Sequence, residues 1–127
     1  MDYSKALWIE FGLDAYGWDK EMLPLLYTLN RLGYHTDYHC IGHRLGASGY
    51  IQFKEGISEG KMLTLYEVIH EIDRAYGLRR TELKKWMRYN SVSERIDSKW
   101  ALYFKGFTKK NRVFFVDTLN EYLTKYE

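Results

Sequence analysis

The sequence predicts one α+β domain over residues 1–127. Its arrangement is a ferredoxin-like split β-α-β-β-α-β sheet with an extra basic helix and a C-terminal helix. Three observations predict this. Short runs alternate apolar and polar residues, the period of a half-buried strand, while longer runs place apolar residues three and four apart, the period of a helix. Glycines punctuate the joins, and the single proline sits near a helix start. The 127 residues are 46% hydrophobic and 28% charged, which excludes a disordered chain and is enough for a core without disulfides.

Ala6–Phe11 reads as the first strand, with Leu7, Ile9 and Phe11 alternating against Trp8 and Glu10. A Gly12–Gly17 turn follows. Asp19 stands as helix N-cap, Pro24 lies in the first turn, and Met22, Leu25, Leu26, Leu29 and Leu32 share a face that ends at Gly33. Tyr34–Cys40 and Tyr50–Lys54 read as an antiparallel hairpin around a glycine-containing loop. Ser58 caps a second helix carrying Met62, Leu65, Ile69, Ile72 and Tyr76, and Gly77 stops it. Thr81–Tyr89 reads as a short basic helix or turn, Lys99–Lys105 as the last strand and Arg112–Tyr126 as the final helix.

On this reading one sheet face carries Leu7, Ile9, Phe11, Cys40, Ile51, Phe53, Trp100, Leu102 and Phe104 toward the helices. The other face carries Trp8, Glu10, His35, Asp37, His39, Tyr50, Gln52, Tyr103 and Lys105. Aromatic residues make up 17% of the chain. Those on an open sheet face can stack on nucleic-acid bases, unless the final helix or a second copy covers them.

Charge is uneven along the chain. Residues 1–60 hold 5 Lys/Arg and 8 Asp/Glu, and residues 61–127 hold 14 and 9. The surplus concentrates at Arg74, Arg79, Arg80, Lys84, Lys85 and Arg88, interleaved with Trp86 and Tyr89. A second group, Lys105, Lys109, Lys110 and Arg112, precedes the last helix. Basic side chains at this density suit phosphate oxygens or an acidic protein surface.

Three of the four histidines fall at His35, His39 and His43, with Asp37 among them. On a strand, His35, Asp37 and His39 share a face, and imidazole with carboxylate suits zinc and similar divalent ions. The alternative is a row of solvated strand histidines. Glu67 and His70 make an E-x-x-H pair with no second copy. Cys40, the only cysteine, excludes an internal disulfide and points to a cytoplasmic setting. Alternation places it in the core and His39 on the opposite face, which disfavours a cysteine–histidine nucleophile. No apolar run reaches the roughly 18–20 residues of a membrane span, and the N-terminal run stops at Glu10, unlike a signal peptide.

The segment Gly33-Tyr34-x-Thr36-x-x-x-Cys40-x-Gly42-His43, followed by Gly49-Tyr50-Ile51-x-Phe53, resembles small uncharacterised proteins of Gram-positive bacteria and their phages. The resemblance implies a small α+β domain from a mobile element. It directs attention to Cys40, Gly42 and His43 ahead of His35 and His39.

No P-loop, dinucleotide fingerprint, G-x-S-x-G or H-E-x-x-H motif is present. The expectation is a small non-catalytic cytoplasmic binding protein of phage type. Its partner would be a nucleic acid, or a nucleic-acid-handling protein that it inhibits or modulates. The binding residues would be Arg79, Arg80, Lys84, Lys85, Trp86 and Arg88 with Trp8, Tyr50 and Tyr103, and no cofactor is required. The alternatives are a divalent-metal enzyme or metal-binding protein on His35, Asp37, His39 and His43, and an obligate homodimer whose function lies in the assembly.

Overall fold

The computed structural model describes residues 1–15, 19–76, 81–106 and 108–126. The elements are α1 (Tyr3–Phe11), a 3-10 turn (Lys20–Met22), α2 (Leu23–Arg31), β1 (Thr36–Cys40), β2 (Ser48–Phe53), α3 (Glu59–Tyr76), β3 (Thr81–Asn90), β4 (Arg95–Lys105) and α4 (Lys109–Thr124). The strands form one antiparallel sheet in the order β1-β2-β4-β3. The α+β class stands. Within it, the expected first strand is a helix and the expected basic helix is a strand.

The first correction has a local cause. Over six residues, Leu7, Ile9 and Phe11 fit a period of two, but Tyr3, Leu7 and Phe11 also fit the i, i+4 spacing of a helix. The ends decide between them. The Asp2 carboxylate accepts from the Lys5 N–H at 3.1 Å, an N-cap. Gly12, at φ 65, takes the left-handed conformation that closes a helix, and its N–H donates to the Trp8 carbonyl at 3.0 Å. Leu7 then packs fully into the core, and Ile9, expected inside, is 67% exposed.

The second correction is a tertiary override of propensity. Glu82, Leu83, Lys84, Lys85 and Met87 all favour a helix in isolation. Instead every residue from Thr81 to Asn90 pairs with one of Phe104 to Arg95. The turn is held by the Asn90 carboxamide oxygen, which accepts from the N–H groups of Val92 (2.9 Å) and Ser93 (3.2 Å). Glu94 completes it at φ 57. Strand β4 consequently starts at Arg95, four residues before the expected Lys99.

The β1–β2 hairpin and the three later helices fall where expected, with shifted ends. Asp19 does not cap α2: its side chain makes no capping bond and its own φ is 56. Helix α4 starts with a capping box between Thr108 and Asn111.

The core lies on one side of the sheet. Ile51 and Phe53 of β2 and Leu102 and Phe104 of β4 are wholly buried against Leu26 and Leu29 of α2, Met62 and Leu65 of α3, and Phe115 and Leu119 of α4. The Phe104 and Phe115 rings stack with centroids 5.2 Å apart. Buried Asn30 ties α2 to β1, donating to the Thr36 hydroxyl at 3.0 Å and accepting from the Thr36 N–H at 3.2 Å.

The β3–β4 hairpin outruns the rest of the sheet. Of strand β4, only Ala101–Lys105 pair with β2, so Arg95–Trp100 have β3 as their one partner strand. Met87, Tyr89, Val92 and Ile96 are exposed on this arm. Among the described residues, no helix is long and apolar enough to cross a membrane.

Candidate functional site

Side chains alternate faces along a strand, and directly paired residues share a face. The helix-facing side holds Ile51, Leu102 and Leu83 in register. The opposite side therefore holds Tyr50 beside Tyr103, with Glu82, Lys84, Trp86 and Arg88 continuing along β3. None of these aromatic residues is buried. The basic segment and the aromatic sheet face, two separate surfaces in the sequence, are one surface in the fold.

Its contacts are graded in strength. The Tyr50 and Tyr103 ring centroids lie 6.3 Å apart. The Lys84 ammonium sits 5.4 Å over the Tyr103 ring and also pairs with Glu82 at 3.1 Å. That hydrogen bond holds the Glu82 carboxyl below its ordinary pKa, but an exposed pair of this kind is readily exchanged for another partner. The Arg88 guanidinium lies 5.9 Å from the Trp86 ring. The Lys99 ammonium binds Asp37 at 2.6 Å, reaching across β2. Burial pushes the Tyr50 hydroxyl above its ordinary pKa, with smaller contributions from Cys40, Tyr103 and Asp19, so it stays a neutral donor and acceptor.

Two expected binding residues lie elsewhere, and so does one member of the second basic group. Trp8 is exposed on α1, not on the sheet. Lys85 projects from the other side of β3, with its ammonium 5.4 Å from the Trp100 ring. Arg112, expected with the exposed basic group, is 1% exposed. Arg79 and Arg80 lie outside the described residues.

The histidine group does not converge. His35 is exposed before β1, its ring 6.0 Å from that of Phe11. Asp37 is committed to Lys99. His39 pairs with Ile51 and so turns to the helix side, where burial lowers its pKa against an opposing pull from Asp19. The reason is a bulge. The register of β1 shifts between Thr36 and Tyr38, and one extra residue reverses every face that follows. Cys40, expected in the core, thus pairs with Tyr50 on the open side and is only partly buried.

That reversal assembles a different group. The Cys40 thiol, the His43 imidazole and the Asp19 carboxylate each place a ligand atom within 4.8 Å of the others. His43 Nε2 is 3.3 Å from Asp19 Oδ1, and Asp19 Oδ2 accepts from the Ile41 N–H at 3.1 Å. Asp19 lies sixteen or more positions from the histidines in sequence, and nothing local in the sequence marks it as their partner. On α3, Glu67 and His70 are both exposed.

The loop bearing His43 is held by Arg112. Its guanidinium donates to the carbonyls of Ile41 (2.7 Å), Gly106 (2.5 Å), Gly42 (3.2 Å) and Arg44 (3.2 Å). Four backbone acceptors replace the carboxylate that a buried arginine usually has.

Fold and site together define a small α+β domain with one covered and one open sheet face. The family model for the YoqC prophage protein matches residues 6–127, so the chain belongs to that family and is a small protein of prophage type. Comparison with curated proteins finds no match, and comparison with solved structures finds none either.

Proposed function

We propose that the open sheet face binds single-stranded nucleic acid. The observation that carries this reading is the register of β3. It aligns Lys84, Trp86 and Arg88 with Tyr103 and Tyr50 on a face that no helix of the described residues covers. Flat rings on a rigid sheet stack on bases of any sequence, and the neighbouring cations follow the backbone. Acidic residues share the face: Asp37, Glu82 and Asp97 stand among Lys84, Arg88, Lys99 and Lys105. The charge surplus is small, so stacking carries more of the affinity than phosphate contact does.

Fluorescence anisotropy of labelled single-stranded DNA and RNA tests this. Loss of one stacking ring costs about 1–3 kcal/mol. Trp86→Ala and Tyr103→Ala should each weaken binding about tenfold, with Trp8→Ala unchanged. Binding by neither oligonucleotide at low salt would refute the reading. The same face would then be assigned to an acidic surface on a nucleic-acid-handling protein.

A further inference from the structure

We propose that Asp19, Cys40 and His43 form a binding site for a zinc-type divalent metal ion. The three donors are an oxygen, a sulfur and a nitrogen, and their ligand atoms lie within 4.8 Å of one another. Zinc–ligand bonds of about 2.0–2.3 Å in a tetrahedron put ligand atoms about 3.3–3.8 Å apart. The Asp19 Oδ1 to His43 Nε2 distance of 3.3 Å is already such an edge. A sulfur-to-oxygen or sulfur-to-nitrogen edge is about 3.5 Å, so the thiol needs a shift of at most about 1.3 Å to complete the face.

The Asp19 carboxylate is an independent indication. Its side chain is 4% exposed, yet Oδ1 is buried and accepts no hydrogen bond. Its near neighbour is the His43 Nε2 at 3.3 Å, which makes no well-aligned hydrogen bond to it. A carboxylate oxygen buried in this way is costly, and a cation between the two would relieve it. Oδ2 is anchored by the Ile41 N–H, which aims the other oxygen at His43.

The loop is also preorganised. Arg112 grips the carbonyls on both sides of His43, at Gly42 and Arg44. Gly42 sits at φ +87, and a Cβ there would come 2.9 Å from Arg112 Nε and 3.1 Å from the Ser48 carbonyl oxygen. The position therefore needs glycine. His43 itself is 54% exposed at its side chain, so it can close on an ion and leave a fourth position open to water. Thiolate with imidazole selects zinc over magnesium or calcium.

Cobalt(II) titration of untagged protein tests the site. Cys40 is the only cysteine, so a thiolate-to-cobalt charge-transfer band reports on it alone. The expected result is one equivalent bound, with that band and the visible bands of tetrahedral cobalt, all displaced by zinc. Cys40→Ser should lose the band. Asp19→Asn keeps an acceptor for the Ile41 N–H, and it and His43→Ala should each weaken binding about tenfold or more. His35→Ala should bind as the wild type does. Absence of the band in the wild-type protein would overturn the site, as would wild-type affinity in both Asp19→Asn and His43→Ala.

Discussion

His39 shows how one residue's position sets a property of the whole chain. Burial holds its imidazole below the ordinary histidine pKa, with Asp19 pulling the other way. In the unfolded chain the ring takes a proton near pH 6.5, and in the fold only at lower pH. Between those values the unfolded chain binds the extra proton, so acidification favours unfolding. The stability contributed by neutral His39 is complete above about pH 6.5 and is lost as pH falls through the folded value. Thermal midpoints should decline from about pH 7 to pH 5, and His39→Gln should flatten that decline. An equally steep profile in the variant would show that His39 is not the titrating group. The burial of His39 was not legible in the sequence. Nothing in Thr36-Asp37-Tyr38 announces a bulge, and strict alternation predicts the opposite face for Tyr38, His39 and Cys40 alike.

At the scale of elements, the loop between β1 and β2 depends on α4. Arg112 is fully buried and satisfies carbonyls at Ile41, Gly42, Arg44 and Gly106. Each buried acceptor left unpaired costs about 1–3 kcal/mol. Arg112→Leu should therefore lower stability by about 3 kcal/mol or more in urea unfolding. Arg112→Lys should recover little, because an ammonium cannot reproduce the planar fork. A loss below about 1 kcal/mol for Arg112→Leu would mean that the loop satisfies these carbonyls by other means. Sequence counts Arg112 among exposed cations because nothing local separates it from Lys109 and Lys110. Lys109 does behave as a surface residue, pairing with Glu21 at 2.7 Å. The helices with long apolar stripes, α2, α3 and α4, were legible. The short α1 was not, since six residues satisfy both periods. Strand β3 was not either, since its partner lies beyond a turn and its residue types favour a helix.

For the whole molecule, the α+β class was legible because binary patterning constrains layers more tightly than it constrains any single element. The candidate face was legible in halves. Tyr50 and Tyr103 follow from alternation on β2 and β4, and the basic residues from composition. Joining them required knowing that Thr81–Asn90 pairs with β4. That same pairing sorts the cations, with Lys84 and Arg88 on the open face and Lys85 behind it. The salt dependence of single-stranded oligonucleotide binding tests the proposed role of this face most directly. Each neutralised phosphate on a single strand contributes about −0.7 to the slope of log K against log salt, so Lys84, Arg88 and Lys105 together predict about −2. Lys84→Ala with Arg88→Ala should make the slope shallower by more than half, and Lys85→Ala should leave it unchanged. A slope that falls equally in both variants, or in neither, would contradict nucleic-acid binding by the open sheet face.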